Sequence, residues 1–383
     1  MTKWSRCVAS CAWIAVVLVV IIVAAIATVP LGASPGPAGA QSVDAFDPAR
    51  VVEIVEEGER DLGGFRQSYQ VVRVQITGGP DRGQETEAEF GEAFNVPQAQ
   101  RLREGERVVL VRTAPAGEAF VVDRYRLPWM GVVLALFFGL ALAFARWRGM
   151  TALLGLSLSL LVLVQFVVPQ IMAGANPLVV TMLAALVIAV VSIYLAHGFY
   201  LRTTVAIVST VLTLAVAAGL AMGFVSLAKL FGAGKEEAFY LQLGLLQTVN
   251  LRGLLLGGII LGALGVLDDI TTAQAAVVAE LKHANPTLSF RELYRRGLAV
   301  GQEHITALVN TLVLAYAGAS LPLFILFTVD RGQPLWVTLN SEYIGEEVVR
   351  AAVGSIALIL AVPITTALAA WTLKGEHVGG HAH

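Results

Sequence analysis

Charged side chains are scarce in this sequence. They make up 14% of its 383 residues, whereas hydrophobic residues make up 56% and the mean hydropathy is +0.73. Soluble domains carry about a quarter charged residues. The formal net charge is −2, so no strongly basic surface indicates a nucleic-acid partner. The composition predicts a polytopic membrane protein whose main partner is the lipid bilayer.

The sequence is also poor in cysteine and in catalytic motifs. Its two cysteines, Cys7 and Cys11, lie near the N-terminus and support neither a disulfide framework nor a zinc cluster. The sequence contains no Walker A, zincin, nucleophile-elbow or intact GxGxxG motif, so we expect neither an enzyme nor a cofactor. The C-terminal tail 376–383 holds three of the six histidines, at His377, His381 and His383. They are a weak candidate metal site, and a terminus without function is the alternative.

Long apolar runs dominate the chain. The first, at 12–29, lies in an N-terminal segment 1–30 that is either a retained membrane anchor or a signal sequence. Seven more runs are long enough to cross a bilayer, at 128–145, 151–168, 177–196, 203–228, 253–279, 303–328 and 350–373. We therefore expect an all-α polytopic bundle of about eight transmembrane helices, with residues 128–375 as its membrane domain.

Residues 42–127, which follow a Pro/Gly/Ala linker at 31–41, differ from the rest. They contain 16 acidic and 11 arginine side chains, a net charge of −5. Apolar residues alternate with polar ones in four short segments separated by Gly and Pro, at 51–55, 69–76, 108–111 and 120–123. This pattern predicts a small all-β domain, of the OB barrel type. It is either a folded spacer or a sensor that binds an envelope partner.

The placement of lysine and arginine predicts the orientation of the chain. If the N-terminus is cytoplasmic, cytoplasmic segments hold ten such residues, and the short outside loops hold five. We therefore expect a multi-pass protein of the bacterial cytoplasmic membrane. Both termini would be cytoplasmic, and 42–127 would lie outside.

Two adjacent carboxylates interrupt one of the apolar runs. Asp268 and Asp269 lie somewhat past the middle of residues 253–279. A charge at membrane depth costs about 3 kcal/mol or more. Because burial and the neighbouring like charge both disfavour ionisation, at least one carboxyl is a plausible proton carrier or cation ligand. The alternative is a structural pair at a helix interface or at the cytoplasmic edge.

The next apolar run supplies partners for this pair. Small residues at Gly258, Gly262, Gly265 and Gly318 predict close packing of two antiparallel helices joined by a charged connection. Ser289 and Glu292 in that connection have the spacing of a helix cap. We predict a polar pocket that binds a small solute or an ion, formed by Asp268, Asp269, Thr272, His304, Asn310 and Thr311. The alternatives are an interfacial position for His304 and a helix-contact role for Asn310 and Thr311.

These residues carry a family resemblance. The segments 264–274 (LGVLDDITTAQ), 301–305 (GQEHI) and 310–318 (NTLVLAYAG) resemble the YibE/F family of multi-pass bacterial membrane proteins. The likeness covers about 128–375 and implies an integral membrane protein, with no assigned biochemical activity. A more distant similarity is to the resistance–nodulation–division transporters and SecDF, whose intramembrane aspartates relay protons.

Two functions follow from these observations as hypotheses. The first is a secondary transporter or a proton- or ion-coupled translocation component that uses the aspartate pair. The second is a non-transporting membrane scaffold or sensor, in which the β domain binds an envelope partner and the aspartates hold helices together.

Overall fold

A computed structural model describes residues 45–61, 66–91, 100–113, 118–243, 249–322, 325 and 334–373. The apolar run 12–29, both cysteines and the histidine tail lie outside the described residues. The described residues fall into two units that divide at residue 144, and each unit has its own core.

The first unit contains a closed five-stranded barrel. Its strands are β1 (Ala45–Asp61), β2 (Arg66–Ile76), β3 (Glu85–Phe90), β4 (Arg107–Thr113) and β5 (Glu118–Arg124). They follow each other around the barrel in the order β1-β2-β3-β5-β4. All neighbours are antiparallel except β3 and β5, which are parallel. The small all-β domain is thereby confirmed, whereas its assignment to the OB type stays a prediction.

The length of β1 allows the barrel to close. This strand has 17 residues and pairs with β2 along one edge and with β4 along the other. Its register to β2 shifts twice, between Val51 and Glu53 and between Ile54 and Glu56. Such irregularities bend and twist a strand, so that one strand can join both ends of a sheet.

A partly buried ion pair joins β1 to β4. The Arg112 guanidinium donates to Asp47 at 2.5 Å and to Asp81 at 2.7 Å, and Asp47 is only 5% exposed. Hydrogen bonds to Asp81 and Asp47 raise the pKa of Arg112 above its usual value. Gly79 lies beside the same carboxylate and has a backbone φ of +85°. A Cβ at this position would overlap the Asp47 carboxylate. The cluster fixes the turn between β2 and β3 against the barrel.

Seven helices of the described chain are long and apolar enough to cross a membrane. They are α1 (Leu127–Arg146), α2 (Gly149–Met172), α3 (Pro177–His197), α4 (Leu201–Leu227), α6 (Leu251–Ala284), α7 (Phe290–Ala319) and α9 (Glu342–Leu373), with two short helices, α5 (Glu236–Leu243) and α8 (Leu335–Leu339). Each of the seven apolar runs predicted at 128–373 corresponds to one of these long helices. The predicted total of about eight included the run at 12–29, which the structure does not describe.

The core of the second unit lies among α3, α4, α6 and α9. Their inward faces carry small and branched apolar side chains that are almost fully buried, including Ala185, Ala217, Ile260 and Ala361. Alanine on facing helices lets the backbones approach closely. Close packing then holds membrane helices together, because the hydrophobic effect does not favour protein over lipid as their neighbour. This arrangement places α6 at the centre of the bundle.

The helix α7 begins within the charged connection that follows α6, and its first turn is capped. The Ser289 side chain accepts a hydrogen bond from the Glu292 backbone, and the Glu292 carboxylate accepts one from the Ser289 backbone. This capping box confirms the predicted cap. The helix then continues without a break to Ala319, so the charged segment and the membrane run form one element instead of two.

Candidate functional site

The central helix α6 positions the candidate site. The Asn250 side chain caps its first turn by accepting from Gly253 N at 3.0 Å, and the helix runs for 34 residues to Ala284. At 1.5 Å per residue it is about 51 Å long, which exceeds the hydrocarbon core of about 30 Å. Its inward face carries polar residues about one turn apart, at Asp268, Thr271 and Gln274.

Asp268 points into the bundle. Ser192 on α3 donates its hydroxyl to Asp268 Oδ2 at 2.9 Å. The other carboxyl oxygen, Oδ1, is buried and has no hydrogen-bond partner among the described residues. In the described part of the chain, no lysine or arginine forms an ion pair with Asp268. The site therefore offers one fixed donor and one open oxygen, at which a proton or a cation can bind.

Asp269 lies on another side of the same helix. Successive residues of a helix are about 100° apart, and Asp269 is exposed whereas Asp268 is half-buried. Thr272 bonds to its own helix, donating to the Asp268 carbonyl at 2.8 Å. The two carboxylates therefore do not share one cavity within the described residues.

The structure does not assemble the predicted six-residue pocket. His304, Asn310 and Thr311 are all exposed on α7. The physical reason is the rotation of this helix, which turns the buried Gly297 and Gly301 towards the bundle and its polar side chains away from it. Among the described residues, these three side chains are therefore not brought together with Asp268.

The predicted antiparallel packing of α6 and α7 is confirmed. Near one end of the contact, Gln274 donates to the Gly297 carbonyl at 2.8 Å. Near the other end, a Cβ on Gly262 would lie 3.3 Å from the Tyr316 hydroxyl. The residue numbers of α7 thus rise as those of α6 fall.

Three of the four predicted packing glycines are not at helix contacts within the described chain. A Cβ at Gly258, Gly265 or Gly318 would meet no atom within 4 Å. Among the described residues, these three glycines therefore bring no other helix close. Gly262 alone of the four has a neighbour, Tyr316.

The close contacts occur at other glycines. A Cβ on Gly257 would lie 2.8 Å from Thr181, and one on Gly301 would overlap Val362 and lie 2.9 Å from Gln274 Oε1. A spacing of four residues also relates Gly297 to Gly301, so the small-residue motif was present in the sequence. The prediction placed the contact on an adjacent side of these two helices.

Gln274 is a buried junction that the predicted site did not include. Its side chain has no solvent exposure, and its amide nitrogen donates to Gly297 O at 2.8 Å and to Thr366 Oγ1 at 2.7 Å. One side chain thus links α6 to both α7 and α9. Its spacing of three residues from Thr271 and six from Asp268, on one side of α6, is the signal that could have identified it.

Thr271 forms a second polar contact one turn from Asp268. Its hydroxyl lies 2.7 Å from that of Thr210 on α4, and both side chains are fully buried. Along α6, Asp268 is therefore hydrogen-bonded to α3, Thr271 to α4, and Gln274 to both α7 and α9. The candidate carboxylate lies at one end of this buried polar series.

The described residues contain no group of three or more metal-binding side chains. The three tail histidines, His377, His381 and His383, lie outside them, so the weak metal prediction remains a prediction.

The fold and these polar contacts define a multi-pass integral membrane protein with a carboxylate inside its helix bundle. The family model for YibE/F-like proteins matches residues 133–375, which cover more than half of the chain. The chain therefore belongs to the YibE/F-like family, as its motifs indicated. Comparison with curated proteins gave no match, and comparison with solved structures gave none.

Proposed function

We propose that this protein is a secondary transporter or a proton- or ion-coupled translocation component in which Asp268 carries the coupling ion. The observation that supports this most strongly is the Asp268 carboxyl, which has one donor, Ser192, and one buried oxygen without a partner. Its cycle would alternate between a form with a bound proton or cation and an empty form.

The energetics favour a carboxyl that changes its state of charge. An ionised aspartate inside a membrane costs about 3 kcal/mol or more, and a single hydroxyl donor to a charged group returns about 1.5–3 kcal/mol. Binding a proton or a cation at Oδ1 removes the remaining cost. The Gln274 amide oxygen is likewise buried without a partner among the described residues, but an amide does not take up a proton, whereas the Asp268 carboxylate can.

Asp269 contributes through its charge and not through a shared cavity. Its carboxylate is one residue away on an exposed side of α6. A second negative charge at this depth stabilises a cation or proton bound at Asp268. We therefore expect its removal to weaken ion binding without abolishing it.

The proposal places the protein in a bacterial cytoplasmic membrane with both termini inside and the barrel outside. The distribution of lysine and arginine supports this orientation. Under it, the Asp268 end of the buried polar series lies deeper in the membrane, and Gln274 lies nearer the cytoplasm.

Labelling with a hydrophobic carbodiimide tests the proposal, because this reagent reacts with protonated carboxyls inside membranes. We expect labelling of Asp268 in the full-length protein, detected by mass spectrometry and slowed by the coupling ion, Na⁺ being the first to try. Asp269→Asn is the matched variant, with the same change one residue away, and it should keep the label. Absence of label at Asp268 at every pH and salt concentration would contradict the proposal.

The second candidate function is a scaffold or sensor without transport. The barrel supports it, because it forms a separate unit with its own apolar core and could bind an envelope partner. Under this alternative, deletion of 42–127 abolishes function in cells. Asp268→Asn would then lower only thermal stability.

A further inference from the structure

The two sides of α7 have opposite character. Its inward side packs on the bundle through Leu293, Gly297 and Gly301, which are buried. Its outward side exposes polar residues at the depth of the membrane run, with Asn310 near the middle of 303–319. This outward side has no covering element within the described part of the same unit.

Many residues of α7 between 302 and 319 are exposed, and four of them lie on one line along the helix. Glu303, Thr306, Asn310 and Val313 are spaced three, four and three residues apart, and all four are exposed. Spacings of three and four in alternation place side chains along one line that faces a second helix. Because Gly301 and Leu308 face the bundle, this line lies on the opposite side of α7.

Lipid cannot satisfy this line of side chains. The Asn310 amide has two donors and an acceptor, whereas acyl chains offer no hydrogen-bonding group. Polar residues in membrane helices therefore face protein or water, and hydrogen bonds between helices are their usual partners. A second polar helix is the partner that would satisfy Asn310 within the hydrocarbon region.

The sequence limits which helix this can be. The segment 12–29 is apolar from Ile14 to Ala27, and α1 is apolar from Met130 to Ala145. Neither has a polar side chain near the middle of its run that could pair with an amide. A second copy of the chain does, because an asparagine amide is both donor and acceptor and so complements itself.

We propose that two copies of the protein associate through α7, with the helices parallel around a two-fold axis normal to the membrane and the two Asn310 amides hydrogen-bonded. Two copies inserted in the same direction can form only a parallel pair through one shared face. A single asparagine on such a seam fixes register and favours one oligomeric state. The alanine at 307 and Thr311, which flank the seam, are small enough for close approach.

Glu303 is the unfavourable member of the seam. It lies seven residues, or about 10 Å, from Asn310 towards the start of the membrane run. There the helix approaches the aqueous boundary and two facing carboxylates can be hydrated. We therefore expect Glu303→Gln to leave association unchanged or to strengthen it, which distinguishes the seam from a general polar surface. The proposal is independent of the function proposed for Asp268.

Disulfide trapping tests the geometry of the pair. In full-length protein with Cys7 and Cys11 changed to Ser, Asn310→Cys should form a dimer rapidly on mild oxidation in native membranes. The matched control is Leu212→Cys on α4, a position 47% exposed and away from this seam. Cross-linking of Asn310→Cys no faster than the control would overturn the proposal, as would cross-linking to a cysteine introduced in 12–29 of the same chain.

The energetic test is the oligomeric state of purified protein in detergent. Wild type should be dimeric, and Asn310→Leu should dissociate about tenfold more readily, since interhelical hydrogen bonds of this kind contribute about 1–2 kcal/mol. Its thermal stability as a monomer should be unchanged, because the Asn310 side chain is exposed among the described residues. A monomeric wild type, or an Asn310→Leu dimer as tight as the wild type, would refute the proposal.

Discussion

Gly301 lies where α7 crosses α6 and α9, and replacing it with alanine should disrupt that contact. The new Cβ would overlap Val362 Cγ1 on α9 and lie 2.9 Å from the Gln274 amide oxygen on α6. Carbon atoms in contact are normally about 3.5–4 Å apart. The helices must therefore separate, or Gln274 must give up its bonds to the other two helices.

The magnitude comes from two opposing effects. Overpacking by one methylene in a well-packed core costs about 1–3 kcal/mol. Alanine also favours the helix over glycine by about 1 kcal/mol, which partly conceals that cost. Gly265→Ala separates the two effects, because it is the same substitution in an adjacent helix where a Cβ meets nothing within 4 Å. We expect Gly301→Ala to be about 1–3 kcal/mol less stable than Gly265→Ala.

Thermal unfolding of the full-length protein in detergent, followed by intrinsic tryptophan fluorescence, measures this difference. A bundle of this size should show about 2–4 °C for each kcal/mol. Val362→Ala added to Gly301→Ala should recover part of the loss, because it removes the overlapping methyl groups. Equal melting temperatures for the two single variants would refute the packing at this crossing.

Three further predictions concern other contacts. Asp47→Ala removes one of the two carboxylate partners of Arg112, which keeps Asp81, and should destabilise the barrel by about 1.5 kcal/mol, measured as about tenfold faster hydrogen exchange in its strands. The hydrogen bond from Arg126 lowers the pKa of Asp123, so this pair stabilises the fold above the ordinary aspartate pKa and is lost as the pH falls through the lowered value. Arg126→Ala should return the pKa of Asp123 towards its usual value, measured by infrared titration. Gln274→Leu should cost about 1–3 kcal/mol in detergent unfolding, because it removes two buried hydrogen bonds between helices.

The sequence predicted the membrane helices well because their signal is strong. Runs of some twenty apolar residues have no common alternative to a membrane helix, and all seven predicted at 128–373 are present. The Ser289 cap was equally clear, since it depends on two residues three positions apart. Such local signals do not require knowledge of the tertiary packing.

The strand β3 shows where the local signal is too weak. Its sequence is ETEAEF, and only Ala88 and Phe90 on its inner face are fully buried. Its three glutamates alternate with Thr86, Ala88 and Phe90, but glutamate and alanine are rare in strands, and the pairing with β2 and β5 provides the stability that propensity lacks.

The candidate site could be predicted only in part for a geometric reason. Asp268 was identified from its position in an apolar run, which needs no knowledge of the fold. Its partner Ser192 is 76 residues away and has nothing unusual in its surroundings. The rotation of α7, which turns His304 and Asn310 outwards, depends on which side carries Gly297 and Gly301. Periodicity shows two candidate sides on this helix and does not indicate which one packs.

Ion coupling at Asp268 is tested most directly by the charge movement that follows a sudden change of pH, measured on full-length protein in a solid-supported membrane. We expect the pH step to give a transient current, or a Na⁺ step to give one if the coupling ion is Na⁺. This current should be absent from Asp268→Asn and retained in Glu280→Gln, which changes an exposed carboxylate of the same helix. An undiminished current in Asp268→Asn, or no current in the wild type on either step, would contradict it.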